Sequence, residues 1–279
     1  MKKLLTILCL VLLSPYSYSQ EVIPENRTVT RESLVYHQSS TEPFTGVVEH
    51  SYENVHIFDR KNYKDGKLDG LYEQFWEGRL LERENYKNGE LEGLSEIFNT
   101  NGRLLKRANY KNGELNGLWE WFFSNGQLSK RENYKNGELD GLREWFHENG
   151  RLKSRTNWKE GKREGLGEWF HENGQLEVRE NKKEGAMVDG LFESFHENGR
   201  LRNRINYKDG QQDGILERFS SNGQLWSKCD YKKGDMDGIC ESFFHENGQL
   251  SYRANYKEGN PDGLSESFHE NGQLKERGN

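Results

Sequence analysis

From Thr45 onward, short runs of aromatic and aliphatic residues alternate with polar ones, and the runs recur along the chain. In Leu118–Gly141, LWEWFFSNGQLSKRENYKNGELDG, two such runs flank Asn125-Gly126, and a second polar connection begins at Lys135. Alternation with period two places successive side chains on opposite faces of a strand, so the unit reads as two strands and two turns. A glycine opens each copy, as Gly46, Gly70, Gly93, Gly117, Gly141, Gly165, Gly190, Gly214, Gly238 and Gly263, at gaps of 23 to 25 residues. A period of that size indicates stacked repeats, each a supersecondary unit that needs its neighbours.

Asn-Gly suits the two positive-φ positions of a type I′ turn. A two-residue turn at Asn125-Gly126 would set Glu120 opposite Arg131, Phe123 opposite Leu128 and Leu118 opposite Asn133. The connection from Lys135 to Asp140 reverses the chain again, so Arg131 also meets Glu144. Continued along the chain, this register gives the row Glu96, Arg107, Glu120, Arg131, Glu144, Arg155, Glu168, alternating in sign on one face. Tyr134 falls on the other face, between Gly117 and Gly141, where its ring would cover backbone without side chains. Three departures are expected to kink the sheet: a shortened turn at Glu77-Gly78, a lengthened one at His245–Gly248, and one added residue in Gly185–Gly190. The expected fold is therefore all-β, an elongated single-layer antiparallel meander of repeated β-hairpins.

Residues 1–19 read as a secretory signal peptide: Lys2 and Lys3, an apolar run from Leu4 to Leu13, and the pattern Ser17-Tyr18-Ser19. The apolar run is shorter than the roughly 20 residues that span a bilayer. Residues 20–44, with two prolines and no glycine, read as an arm or cap, and residues 45–279 as the repeat domain. Export to the periplasm, outer surface or exterior follows from this reading.

Composition narrows the picture further. At 32% hydrophobic and 31% charged residues a thick core is not expected, while 12% aromatics argue against disorder. Loss of Lys2 and Lys3 would take the formal charge from −6 to −8, which disfavours nucleic acid as a partner. Outside the leader only Cys229 and Cys240 remain, and the register opposes them on one face. In an exported chain that pairing predicts a cross-strand disulfide, the alternative being two unpaired thiols.

The pattern Tyr-Lys-x-Gly-x-x-x-Gly-Leu-x-Glu-x-Phe-x-x-Asn-Gly-x-Leu-x-x-Arg-x-Asn, carried with one added residue by Tyr110–Asn133, resembles the bacterial variant of the MORN repeat. The likeness covers about residues 45–279 and extends to YwqK-like antitoxin components. It implies a β-hairpin repeat rod that binds another protein, in some cases a toxin, and it carries over no catalytic residue or cofactor.

The recurring polar residues offer little chemistry. His147, His171, His196, His245 and His269 stand in turns about 10 Å apart, two strand spacings, whereas the ligands of one zinc each lie about 2 Å from it. The recurring glutamates are flanked by arginine, which holds them ionised instead of raising their pKa for acid catalysis. One lysine per unit, from Lys87 to Lys257, lines an edge and could meet anionic lipid head groups or cell-wall polymer, or simply block strand addition. The most specific feature is aromatic: Trp119, Trp121, Phe123, Trp145, Trp158 and Trp169 are expected on one face, with Lys130 between Trp121 and Trp145. Such rings either bind a partner or pack on one another as a local core. The sequence thus points to a scaffold without catalytic activity that binds a protein, an antitoxin or immunity role being the sharpest version. A module for cell-wall glycan or lipid head groups is the alternative.

Overall fold

The computed structural model describes residues 20–52, 56–187 and 189–279; the leader expected at residues 1–19 lies outside the described residues. Within them the chain forms one 23-stranded sheet and a separate two-stranded hairpin. From Gly46–Tyr52 to Leu274–Gly278 the strands follow one another as an antiparallel meander. Val22–Pro24 adds a strand parallel to Gly46–Tyr52, so the sheet is mixed at its first edge. There Ile23, Phe44 and Val48 form a small buried cluster, with Val35 and Tyr63 packed against it. Residues 20–44 thus cover an edge that would otherwise expose unpaired backbone.

The two Asn-Gly sites differ in geometry, and the type I′ turn lies at the second of them. Asn136 and Gly137 sit at φ 49° and 79°, with Lys135 directly opposite Glu138. At Asn125-Gly126 only the glycine has positive φ, 89°. The Gly126 N–H donates to the Phe123 carbonyl and the Phe123 N–H to that of Gln127, both at 2.8 Å. This is a three-residue loop closed by a glycine bulge. Phe122, not Phe123, therefore faces Leu128, whereas Trp121 faces Lys130 and Glu120 faces Arg131. The extra loop residue and the bulged Ser129 cancel, so the strand parity expected from the sequence survives a wrong turn assignment.

A wider bulge follows the type I′ turn at Asn136-Gly137. Tyr134 pairs with Leu139 and Glu132 with Arg143, leaving Asn133 opposite three residues, Asp140 to Leu142. The Asn133 side-chain amide donates to the Leu142 carbonyl at 2.9 Å, and Asn109 and Asn85 do the same one and two units earlier. Gly141, at φ 115°, passes beneath that side chain, and an added Cβ would lie 3.2 Å from the Asn133 Cβ. The opening glycine is thus required by positive φ and by the asparagine beside it. Tyr134 is opposite Gly117 on one side only; on the other it meets Leu139, not Gly141.

The irregular units are absorbed locally. Glu77-Gly78 forms a two-residue turn at φ 47° and 75°, with Trp76 opposite Arg79. At His245–Gly248 a four-residue loop is closed by Phe244 and Gln249. After Gly185 the strand is divided into Ala186–Met187 and Gly190–Phe195.

On one face the charge row runs the length of the meander, from Glu49 opposite Arg60 to Glu266 opposite Arg277, with Lys228 in place of an arginine. The stretch from Glu96 to Glu168 keeps each acid beside an arginine on both neighbouring strands. Glu120 is 2% exposed and accepts from Arg107 Nε at 2.9 Å and Arg131 Nε at 3.0 Å. A desolvated carboxylate is costly unless its lone pairs are met by charged donors, and two guanidinium groups meet them here. In a sheet one layer thick, these rows do the burying that a hydrophobic core does elsewhere.

Candidate binding face

On the opposite face the residues change from unit to unit. The strand Glu114–Phe122 projects Trp119 and Trp121 there, because they flank Glu120 at odd offsets. Trp119 pairs with Ala108 and Glu132, and Trp121 with Lys106 and Lys130. One unit on, Arg143 and Trp145 take the same places, followed by Thr156 and Trp158, and then by Trp169. Phe123 is not part of this face: it lies in the turn, past the end of its strand, at the position His147 holds one unit later.

The rings are joined by cations. Lys130 Nζ stands 4.5 Å from the Trp119 ring centre and 5.4 Å from that of Trp145. The Arg143 guanidinium lies 4.8 Å from Trp145 and 5.4 Å from Trp158, and that of Arg163 lies 4.8 Å from Trp169. Trp119 also meets Trp121 and Tyr134 at 6.1 and 6.2 Å between centroids. Beneath them Glu132, 1% exposed, accepts from Arg143 Nε at 2.7 Å and Tyr134 Oη at 2.9 Å, with Lys130 Nζ at 3.1 Å. Burial, and then that bond to Glu132, push the Tyr134 phenol up to about 12. Trp121 and Trp145 nonetheless remain 45% and 39% exposed, while Trp119, Trp158 and Trp169 are half-buried. The belt is therefore both packing and surface: the half-buried rings and Glu132 support the two exposed ones.

Arg143, Glu132 and Arg163 belong to this arrangement and were not singled out from the sequence. The available signal was the period of two, since Arg143 stands two residues before Trp145. Between Trp145, Trp158 and Trp169 the face dips into a concavity of about 280 Å³, bordered by Arg143, Lys153 and Arg163.

The remaining candidates are structural in their contacts. Nε2 of His147, His171 and His196 bonds the carbonyl of Phe170, Phe195 and Phe219 in the following unit. The edge lysines flank the type I′ turns, as Lys135 does opposite Glu138. Cys229 and Cys240 face each other on adjacent strands and are joined by a disulfide, with Cα atoms 4.0 Å apart. Glu168, bonded by Arg155 and Arg179, has its carboxyl held below the ordinary value, chiefly by the Arg155 bond.

A sequence model described as the MORN repeat variant matches eight segments: residues 91–112, 115–136, 139–160, 163–181, 188–209, 212–233, 239–258 and 261–279. The hairpin architecture continues upstream of them, from Gly46 through Lys87, in units the match does not include. No curated protein matches the chain.

Proposed function

The chain belongs to the MORN repeat variant family, and on that premise we propose that it is a scaffold without catalytic activity whose central aromatic belt binds a protein partner. Repeats of this family serve in general as modules for interaction with proteins or membrane lipids. The observation that carries the reading is the exposure of Trp121 and Trp145 on a supported, cation-laced face. Aromatic anchors with arginine beside them are the residues that dominate interface energetics. The ladder face is nearly constant along the sheet, whereas the belt occurs once, so recognition resides in the belt. In its sharpest form the partner is a toxin and the chain an antitoxin or immunity protein, acting outside the cytoplasm; the leader-like residues 1–19 and the paired cysteines support that location.

Replacing Trp121 and Trp145 with alanine tests the reading. Partner capture from the native envelope should be lost while the double variant stays folded with a modestly lower melting temperature, because rings 45% and 39% exposed still bury part of their surface. Unfolding of the double variant would return these rings to a packing role. The second reading, contact with anionic lipid head groups or cell-wall polymer, is favoured by the charge of the belt. From Leu104–Lys111 to Leu176–Lys183 this face carries Lys106, Lys130, Arg143, Arg163 and Lys182 against Glu132 and Glu180. Retention on cell-wall or liposome pellets, without a stoichiometric polypeptide, would select it.

A further inference from the structure

We infer that the concavity between Trp145, Trp158 and Trp169 receives an acidic segment of the partner protein, its carboxylates held by Arg143, Arg163 and Lys153. This rests on the belt being a protein-binding face, and it specifies the chemistry of what binds there. Three cations and no carboxylate border the concavity, together with Ser154 and Thr156. Arg143 gives one side-chain hydrogen bond, to Glu132, and Arg163 gives one, to Glu180 at 2.8 Å. A guanidinium has five N–H donors, and the others on these two groups have no protein acceptor among the described residues. Both side chains are largely withdrawn from water, at 26% and 18% exposure. Lys153 is exposed and forms no ion pair among the described residues. Partly desolvated guanidinium groups with unspent donors match carboxylates, which they bind in bidentate fashion.

The same contacts argue against a neutral sugar. Trp145, Trp158 and Trp169 already carry guanidinium groups at 4.8 to 5.4 Å. What remains open to a ligand is therefore an array of N–H groups between rings, more than free ring faces on which a pyranose could stack. Lys153 and Trp169 also border a second concavity that carries Glu172, Glu177 and Glu197, and the face turns acidic again toward the N-terminal end, where Asp59, Glu82 and Glu84 outnumber Lys61. An acidic segment is drawn to the belt and repelled from its flank.

The test uses the full chain and a fluorescein-labelled peptide of alternating glutamate and alanine, followed by fluorescence polarisation. The glutamate peptide is expected to bind, its glutamine counterpart at least about tenfold more weakly, and the difference should shrink as salt is raised. Arg163→Gln and Lys153→Glu should each weaken the glutamate peptide about tenfold. Lys153→Glu breaks no ion pair, so it keeps the inference exposed even if Arg163→Gln fails to fold. Equal binding of the two peptides, no binding of either, or affinity indifferent to Lys153→Glu would overturn it. So would binding confined to polygalacturonate or to phosphatidylglycerol vesicles. Native partner capture separates the two levels. Loss with Trp121→Ala and Trp145→Ala but not with Lys153→Glu leaves the belt standing and removes the acidic ligand, whereas capture unchanged by every variant removes the belt itself.

Discussion

Glu120 shows what a single residue does in a sheet without a thick core. It is buried between two arginines whose side chains are 41% and 42% exposed. Removing the acid lets those cations return to water, so the loss falls short of the roughly 3–5 kcal/mol for breaking a fully buried pair. Glu120→Ala is expected to cost about 2 kcal/mol in denaturant unfolding. Glu266→Ala, whose partner Arg277 is 61% exposed, should cost under about 1 kcal/mol; equal losses at both sites would show that ladder position has no energetic meaning. Glu168 adds a pH dependence. Its folded pKa is depressed, mainly by the Arg155 bond, so its stabilisation is present above the unfolded value and is lost as pH falls through the folded one. Thermal melts between about pH 6 and 3 should fall with acidification, and Glu168→Gln should flatten part of that fall. The ladder was legible in the sequence because the acid recurs ten times at one place in the unit, three residues after the opening glycine. Arg163 was not, because it stands alone where other units carry a residue such as Leu115 or Leu139; Glu132 recurs as Glu84 and Glu180 but acquires its role from neighbours across the sheet.

At the scale of the element, the two turns of each unit share a dipeptide and differ in what the asparagine does. In the type I′ turn the first position needs only positive φ, and Asn112, Asn136, Glu160, Glu184 and Lys233 all adopt it. In the three-residue loop the asparagine acts through its side chain. Asn149 Oδ1 accepts from the Arg151 N–H at 2.9 Å, and its amide donates to the Glu172 carbonyl in the next loop at 3.1 Å. The sequence held this distinction: asparagine persists from Asn125 to Asn271 in one turn and is replaced freely in the other. Dipeptide preference alone hid it, since both sites satisfy the type I′ rule. Two outcomes follow. Asn149→Ala should cost about 1 kcal/mol by removing both bonds. Glu160→Asn, which puts the preferred residue at φ 48°, should raise stability by about 0.5 kcal/mol. Chemical denaturation measures both, and a loss at Glu160→Asn would contradict the turn assignment.

Across the whole molecule, register outlives local error because turns and bulges take up the difference between units of 23, 24 and 25 residues. Loop length, bulge and wide bulge compensate within a unit, so deleting one complete unit should leave the charge row intact. Removal of residues 118–141 joins Gly117 to Leu142 and brings Glu144 opposite Arg107; removal of 191–214 joins Gly190 to Ile215 and brings Glu217 opposite Arg179. In a quasi-one-dimensional array each deletion subtracts one unit and one interface, so both proteins should fold to the same strand-rich circular dichroism with modestly lower melting temperatures. Their binding should nevertheless differ. The first deletion takes away Trp119, Trp121, Lys130 and Glu132, and with them the support of the belt, whereas the second leaves every belt residue in place. Partner capture lost in the first and kept in the second would locate recognition in the one segment where the face departs from its repeat. Capture kept in both would mean that the Trp119–Trp121 end of the belt is packing, and that the partner reads either the constant ladder or the concavity at Trp145, Trp158 and Trp169, which the first deletion leaves in place.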